Sequence, residues 1–188
     1  SVKDALEKNE YMKNNYENVT RTYLTRRTPV IIRIDGKAFH TFTRGFDKPF
    51  DEVFIKTMQD TMKYLCENIQ GCVFGYTQSD EITLILIDYQ KFTSSAWFDY
   101  EVQKMCSISA SMATMVFNKY FAQEVDRWGA ETFEHTWYEG GTNDPEVINT
   151  PEWKLAGTYS KAMDNGAMSD ALAFNIPKEE VGNYFIWR

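Results

Sequence analysis

Val30-Ile31-Ile32-Arg33-Ile34-Asp35-Gly36-Lys37-Ala38-Phe39-His40 is a β-branched run that stops at an aspartate. Alternating Ile and Val read as a strand, and Asp-Gly reads as the chain leaving it. An acid at a strand's end, beside backbone free to approach a ligand, suits a metal ion and a phosphate. A second stretch, Cys72-Val73-Phe74-Gly75-Tyr76-Thr77-Gln78-Ser79-Asp80-Glu81-Ile82-Thr83-Leu84-Ile85-Leu86-Ile87, places a polar knot between two apolar runs. Gln78-Ser79-Asp80-Glu81 is too short for anything but a hairpin turn, and two carboxylates sit on it.

Composition narrows the class. The 188 residues fit one domain, and 15% aromatic content supplies material for a core. No apolar run approaches the length of a membrane span, and the N-terminus lacks a signal-peptide core, so a soluble, cytoplasmic protein without membrane contact is expected. Cys66, Cys72 and Cys106 lack the spacing of a zinc site or a disulfide framework and read as reduced thiols. A net charge of −7 weighs against nucleic acid as a partner. Arg21, Arg26, Arg27 and Arg33 nevertheless crowd together, and a local basic patch can bind phosphate on an acidic protein.

In chain order, residues 1–28 read as a polar, partly helical arm. Leu6, Met12, Tyr16 and Val19 are expected to pack one face on the body. A loop through Lys48-Pro49-Phe50-Asp51 follows the first strand. Asp51 is placed to cap a helix marked by Phe54, Met58, Met62, Leu65 and Ile69, with Gly71 past its end. A long helix is predicted over about 95–124, with Val102, Met105, Ser109, Met112, Val116 and Tyr120 on one face. Residues 127–158 lose periodicity and read as an irregular insertion, with His135 a solvated loop residue. A short helix over 159–168, a last strand from Asp170 to Pro177 and a helix from Lys178 complete the single domain.

Strand, helix, strand, strand, helix, strand is the ferredoxin-like βαββαβ order, an α+β fold with an antiparallel sheet and helices on one face. Right-handed crossover puts the third strand between the first two, so the end of the first strand and the hairpin share a sheet edge. Asp35 and Asp80 then sit side by side, as in a polymerase-type palm. Their mutual repulsion is relieved by divalent cations, and two Mg2+ ions can stabilise both oxygens of a phosphoryl displacement. Lys37, Lys48 and the amides from Gly36 to His40 are placed to hold a triphosphate.

Taken together, Arg33-Ile34-Asp35-Gly36-Lys37-Ala38-Phe39-His40, Lys48-Pro49-Phe50-Asp51, Gln78-Ser79-Asp80-Glu81, the helix around Lys104 to Asn118, and Phe174-Asn175-Ile176-Pro177 through Trp187-Arg188 resemble the tRNA(His) guanylyltransferase family. The closer resemblance is to its Thg1-like 3′-5′ RNA polymerases, over roughly residues 16–125 and 159–188. The resemblance implies a nucleotidyltransferase that adds nucleotides to the 5′ end of a tRNA, the incoming 3′-hydroxyl attacking an activated 5′ end. tRNA repair or tRNA(His) guanylylation is the implied role, with GTP, ATP and other NTPs as substrates and a homotetramer as the assembly.

Carried over by motif, Asp35, Asp80 and the Gly36 carbonyl are metal ligands, with Glu81 supporting them. Gly36, Lys37, Ala38, Phe39, His40 and Ser79 hold the nucleotide; Lys48, Asp51 and Lys104 match positions associated with activity. Arg21, Arg26 and Arg27 are candidate contacts to tRNA phosphates. Two departures stand out. Ser169-Asp170-Ala171-Leu172 replaces the family's Phe-Asp-x-Arg, and members continue past Trp187-Arg188 into a further helix and an Asn-containing motif. A palm-type nucleotide cyclase and a non-catalytic RNA-binding domain are the alternative readings. Ser-Asp-Glu with the Lys-Pro-Phe-Asp loop speaks against the first, and buried aliphatic strands ending in acids against the second.

Overall fold

The structure, a computed structural model, describes residues 2–134, 137 and 142–188. His135 lies outside them. The described residues form one antiparallel sheet of four strands in the order β2-β3-β1-β4. These are β1 (Val30–Gly36), β2 (Cys72–Gln78), β3 (Glu81–Leu86) and β4 (Ser169–Asn175). This is the ferredoxin-like order expected of the sequence, with β3 lying between β1 and β2.

Alternation along β1 sorts its side chains to two faces. Val30, Ile32 and Ile34 join Ile82, Leu84 and Leu86 in the core. Arg33 and Asp35 therefore point to the opposite, outer face, level with Thr83 and Glu81 on β3 and with Leu172 and Asp170 on β4. The core face is covered by α3 (Glu52–Asn68), α4 (Val102–Phe133) and, packed on α4, α6 (Pro151–Asn165).

α3 buries a face slightly rotated from the predicted one: Val53, Thr57, Met58, Thr61 and Leu65. Two threonines are tolerated there because their hydroxyls donate to the Val53 and Thr57 carbonyls one turn back, at 2.7 and 2.8 Å. Asp51 caps this helix by accepting from the Phe54 amide at 2.8 Å. Gly71 turns the chain into β2 at φ +80°, where a Cβ would fall 2.7 Å from the Ile87 carbonyl.

Four sequence expectations are corrected. The long helix starts at Val102, not near 95, because Phe98, Asp99 and Tyr100 have left-handed backbones (φ 48°, 53° and 60°) that no α-helix accommodates. It then continues to Phe133. The stretch read as an irregular insertion thus holds the end of α4, the short α5 (Pro145–Ile148) and the first half of α6. Asp144 and Thr150 cap α5 and α6, each followed by a proline in the first helical turn.

The N-terminal helix α1 (Val2–Met12) buries no residue. Leu6 and Met12 lie about 120° apart around a helix, so they form no single stripe to pack. Finally, helices do not keep to one face. The terminal α7 (Val181–Trp187) rests on the outer face, with Phe185 against Phe74 and Tyr76 (5.2 and 5.9 Å between ring centroids) and Tyr184 against Phe174 (5.6 Å).

A cluster of rings joins the loop after β1 to the helical layer. The single-turn α2 (Phe39–Phe42) and Phe46 supply Phe39, Phe42 and Phe46, which meet Phe117 and Phe121 of α4 at 5.2–5.8 Å. Tyr159 of α6 closes the cluster on Phe46 at 5.0 Å, and its hydroxyl donates to buried Asp51 Oδ2 at 2.7 Å. Asp51 also accepts from the Asp47 amide. Its carboxylate is thus engaged in holding the loop, the α3 N-terminus and α6 together. Tyr159→Phe removes one charge-assisted hydrogen bond from this node and is expected to cost about 1–3 kcal/mol. A lowered urea midpoint with an unchanged slope checks it.

Candidate active site

The end of β1 and the β2–β3 hairpin meet as the topology requires. The Gly36 amide donates to the Asp80 carbonyl at 3.0 Å, and Asp35 stands opposite Glu81. Asp35 also stands opposite Asp170 on β4. Burial, then the carboxylates of Asp80 and Asp170, push the Asp35 carboxyl above its usual range, with Arg33 and Arg188 pulling partly back. Asp35 and Asp80 are therefore electrostatic neighbours, at an edge with more negative charge than the sequence reading placed there.

Asp170 was the residue missed. The signal lay in the same strand order: β4 pairs with β1 in this fold, so an acid one residue into β4 comes level with the acid one residue from the end of β1. Arg188 was also missed as a site residue. It follows α7 and ion-pairs with Glu81. Glu81 is thereby engaged with a guanidinium, a partner that its assignment as a supporting carboxylate did not anticipate.

The set of open amides in the loop after β1 is narrower than expected. The Gly36 amide is committed to Asp80 and the Lys37 amide to the Met168 carbonyl at 2.9 Å. The amides of Ala38, Phe39 and His40 donate to no group among the described residues. Ala38 adopts φ +54°, which aims successive amides toward one point, the geometry of an anion-binding nest. The Phe39 ring is buried under Gly36, where a Cβ would come within 2.4 Å of it, so Phe39 offers a ligand only its backbone. Lys37, His40, Lys48 and Ser79 are solvent-exposed, Ser79 with φ +54° in the hairpin turn.

Two groups of candidates lie elsewhere. Lys104 is ten residues before Thr114, whose hydroxyl meets the Ser169 amide beside this edge. At 1.5 Å per residue it is about 15 Å away along α4, and its ammonium sits over the Phe98 ring instead. The arginine cluster is at the far end of the sheet, about 17 Å from Asp35 along β1. There Arg26 ion-pairs with buried Asp88 at 2.6 Å, the Arg27 amide donates to the same carboxylate, and Arg21 lies 3.6 Å from Glu101. Arg26 thus clamps the segment before β1, which removes it as a free phosphate contact. The Arg27 side chain remains exposed.

Magnesium can be tested against this donor set. Among the described residues no three His, Cys, Asp or Glu side chains form a ready cage. Two carboxylates with backbone carbonyls nearby and no soft ligand is what a hard cation completed by phosphate and water requires. The raised Asp35 carboxyl marks a place where positive charge is wanted. The residues fit the ion.

The sequence profile of the family described as Thg1, tRNAHis guanylyltransferase, matches residues 9–141. The chain belongs to this family. A bacterial Thg1-like protein solved in complex with ATP is 37% identical and superposes with a TM-score of 0.70, covering 96% of this chain and 63% of that one. A GTP complex of a bacterial Thg1-like protein gives 35% identity and a TM-score of 0.71, over 96% and 64%. The tRNA(His) guanylyltransferase of Schizosaccharomyces pombe is 32% identical over 110 residues, 57% of this chain and 39% of its own. An uncharacterized protein, R259, of Acanthamoeba polyphaga mimivirus is 38% identical over 100 residues, 48% and 32%. The chain spans about a third to a half of the length of these and similar curated relatives. Among the described residues no helix is long and apolar enough to cross a membrane.

Proposed function

We propose that this Thg1-family chain is a magnesium-dependent nucleotidyltransferase that adds nucleotides to the 5′ end of a tRNA in the 3′-5′ direction. The observation that carries the reading is the junction of Asp35, Asp80 and the open amides of Ala38–His40 at one sheet edge. ATP and GTP complexes of similar bacterial proteins support a nucleoside triphosphate as the ligand of that edge.

The residues divide the work as follows. Ala38, Phe39 and His40 bind phosphate oxygens through their backbone amides, and exposed Lys37 and Lys48 add charge beside them. Asp35 and Asp80, with the Gly36 carbonyl, would hold two Mg2+ ions, which would supply activation of a hydroxyl nucleophile and charge neutralisation of phosphate. Asp170 adds to the negative potential that draws cations to the edge. Arg188 holds Glu81, fixing that carboxylate beside the ligands. The same family reading carries a cytoplasmic homotetramer, to which light scattering gives the answer.

The test mixes protein, magnesium, labelled nucleoside triphosphates and a tRNA lacking its first nucleotide, beside an Asp80→Ala control. Extension at the 5′ end that disappears in the control is expected. Triphosphate binding without extension of any tRNA would sink the proposal.

A further inference from the structure

Beside the proposed active edge lies a second concavity, between α2 and α6, with a volume of about 200 Å³. Its polar lining comes from Thr41, Arg44, Thr158, Lys161 and Asn165. No acid lines it, and neither Arg44 nor Lys161 is ion-paired among the described residues. On a chain of net charge −7, two unpaired cations converging on one polar cleft mark it as an anion site.

Its position says which anion. Thr41 follows His40 directly, so the cleft begins one residue past the loop of open amides. On its other side Asn165 lies four residues before Ser169, which stands opposite Gly36 at the end of β1. The concavity lined by Asp80, Phe39 and Ser169 and this cleft, lined by Thr41 and Phe42, thus share the α2 turn as their wall. The ring cluster under α2 fixes that wall in place, so the two are held in register. Across that wall from Asp80, Arg44 and Lys161 are the cations of the adjoining concavity.

We propose that this cleft binds backbone phosphate of the RNA strand whose 5′ end is extended, separately from the triphosphate of the incoming nucleotide. The inference rests on the function proposed above. Arg44 offers a planar fork to a phosphodiester and Lys161 a point charge, with the Thr41 hydroxyl and the Asn165 amide as further donors beside them. Phosphate contacts of this kind position a strand without reading its sequence.

The test compares wild type with the double variant Arg44→Ala, Lys161→Ala. tRNA lacking its first nucleotide is titrated at several salt concentrations, and free GTP is titrated separately. Both residues are exposed, and circular dichroism checks that the variant folds. Expected are about tenfold weaker tRNA binding and a slope of log affinity against log salt shallower by roughly 1–2. GTP affinity should be unchanged, and the charge-preserving pair Arg44→Lys, Lys161→Arg should restore tRNA binding. Unchanged tRNA affinity and slope would overturn the proposal. So would a matching loss of GTP affinity, which assigns the cleft to the nucleotide's own phosphates. Wild-type extension with an unaffected double variant defeats the cleft alone; a wild type that neither binds nor extends tRNA defeats the proposed function and the cleft together.

Discussion

Asp35→Asn will abolish nucleotide addition, by on the order of a thousandfold, while leaving the metal-free protein at least as stable as before. The first half follows from the ligand role proposed for Asp35. Metal ions supply several kcal/mol of transition-state stabilisation, and each 1.36 kcal/mol is a factor of ten. The second half follows from the raised carboxyl. Asp35 holds its proton more tightly in the folded chain than in the unfolded one, because burial and the carboxylates of Asp80 and Asp170 oppose its charge. Over the window just above the ordinary carboxylate range, the native state therefore binds more protons than the unfolded state. Stability declines as pH rises through that window and does not recover at neutral pH. Asparagine carries no charge and removes the decline. Thermal melts of wild type and variant from pH 3.5 to 7.5 check it, as does added magnesium, which should raise the wild-type midpoint and leave the variant's in place. A variant that melts lower at neutral pH without metal, or that keeps adding nucleotides, would refute the assignment.

Phe121→Ala will lower stability by about 3–5 kcal/mol, the usual cost of emptying a large aromatic site. In a domain of this size that is a fall of roughly 6–20 °C in melting temperature. Phe121 is 1% exposed, stacks on Phe46 with 5° between ring planes, and meets Phe42 and Tyr159 edge-on. Removing it takes the floor from beneath α2 and its following loop, while β1 and the hairpin keep their own hydrogen bonds. Amide exchange at Ala38, Phe39 and His40 should quicken more than at Ile31 or Leu84, and the KM for nucleotide should rise. Phe92→Ala is the matching control: Phe92 is 95% exposed and its loss should change neither quantity.

The parts of this molecule that were legible in the sequence are those set by local chemistry and by a strand order with few alternatives. β1, the hairpin, the cap at Asp51 and the meeting of Asp35 with Asp80 belong here. Three kinds of information were hidden. Left-handed backbone at Phe98 and Tyr100 carries no residue signal, and the aspartate between them, Asp99, carries only a weak one. The fate of a charged side chain depends on distant partners: Asp88 engages Arg26, and Arg188 engages Glu81. Which amides of a loop stay open depends on neighbouring elements, and here Asp80 and Met168 take two of the five assigned to phosphate. The starts of α5 and α6 were readable, through Asp144-Pro145 and Thr150-Pro151, but the low periodicity around them obscured both.

Asn118 sits on α4 and treats the approach to β4 as a strand would. Its side-chain amide donates to the Ala167 carbonyl and accepts from the Ala167 amide, both at 2.8 Å, while Thr114 receives the Ser169 amide at 3.1 Å. A one-residue slip of a strand sends every side chain to the opposite face. Those rungs, anchored in a helix, index β4 before its ladder with β1 begins. Slipped one way, Ser169 would stand level with Asp35; slipped the other, Ala171. The count of negative charges at the edge is thus kept by a neutral amide that never touches it.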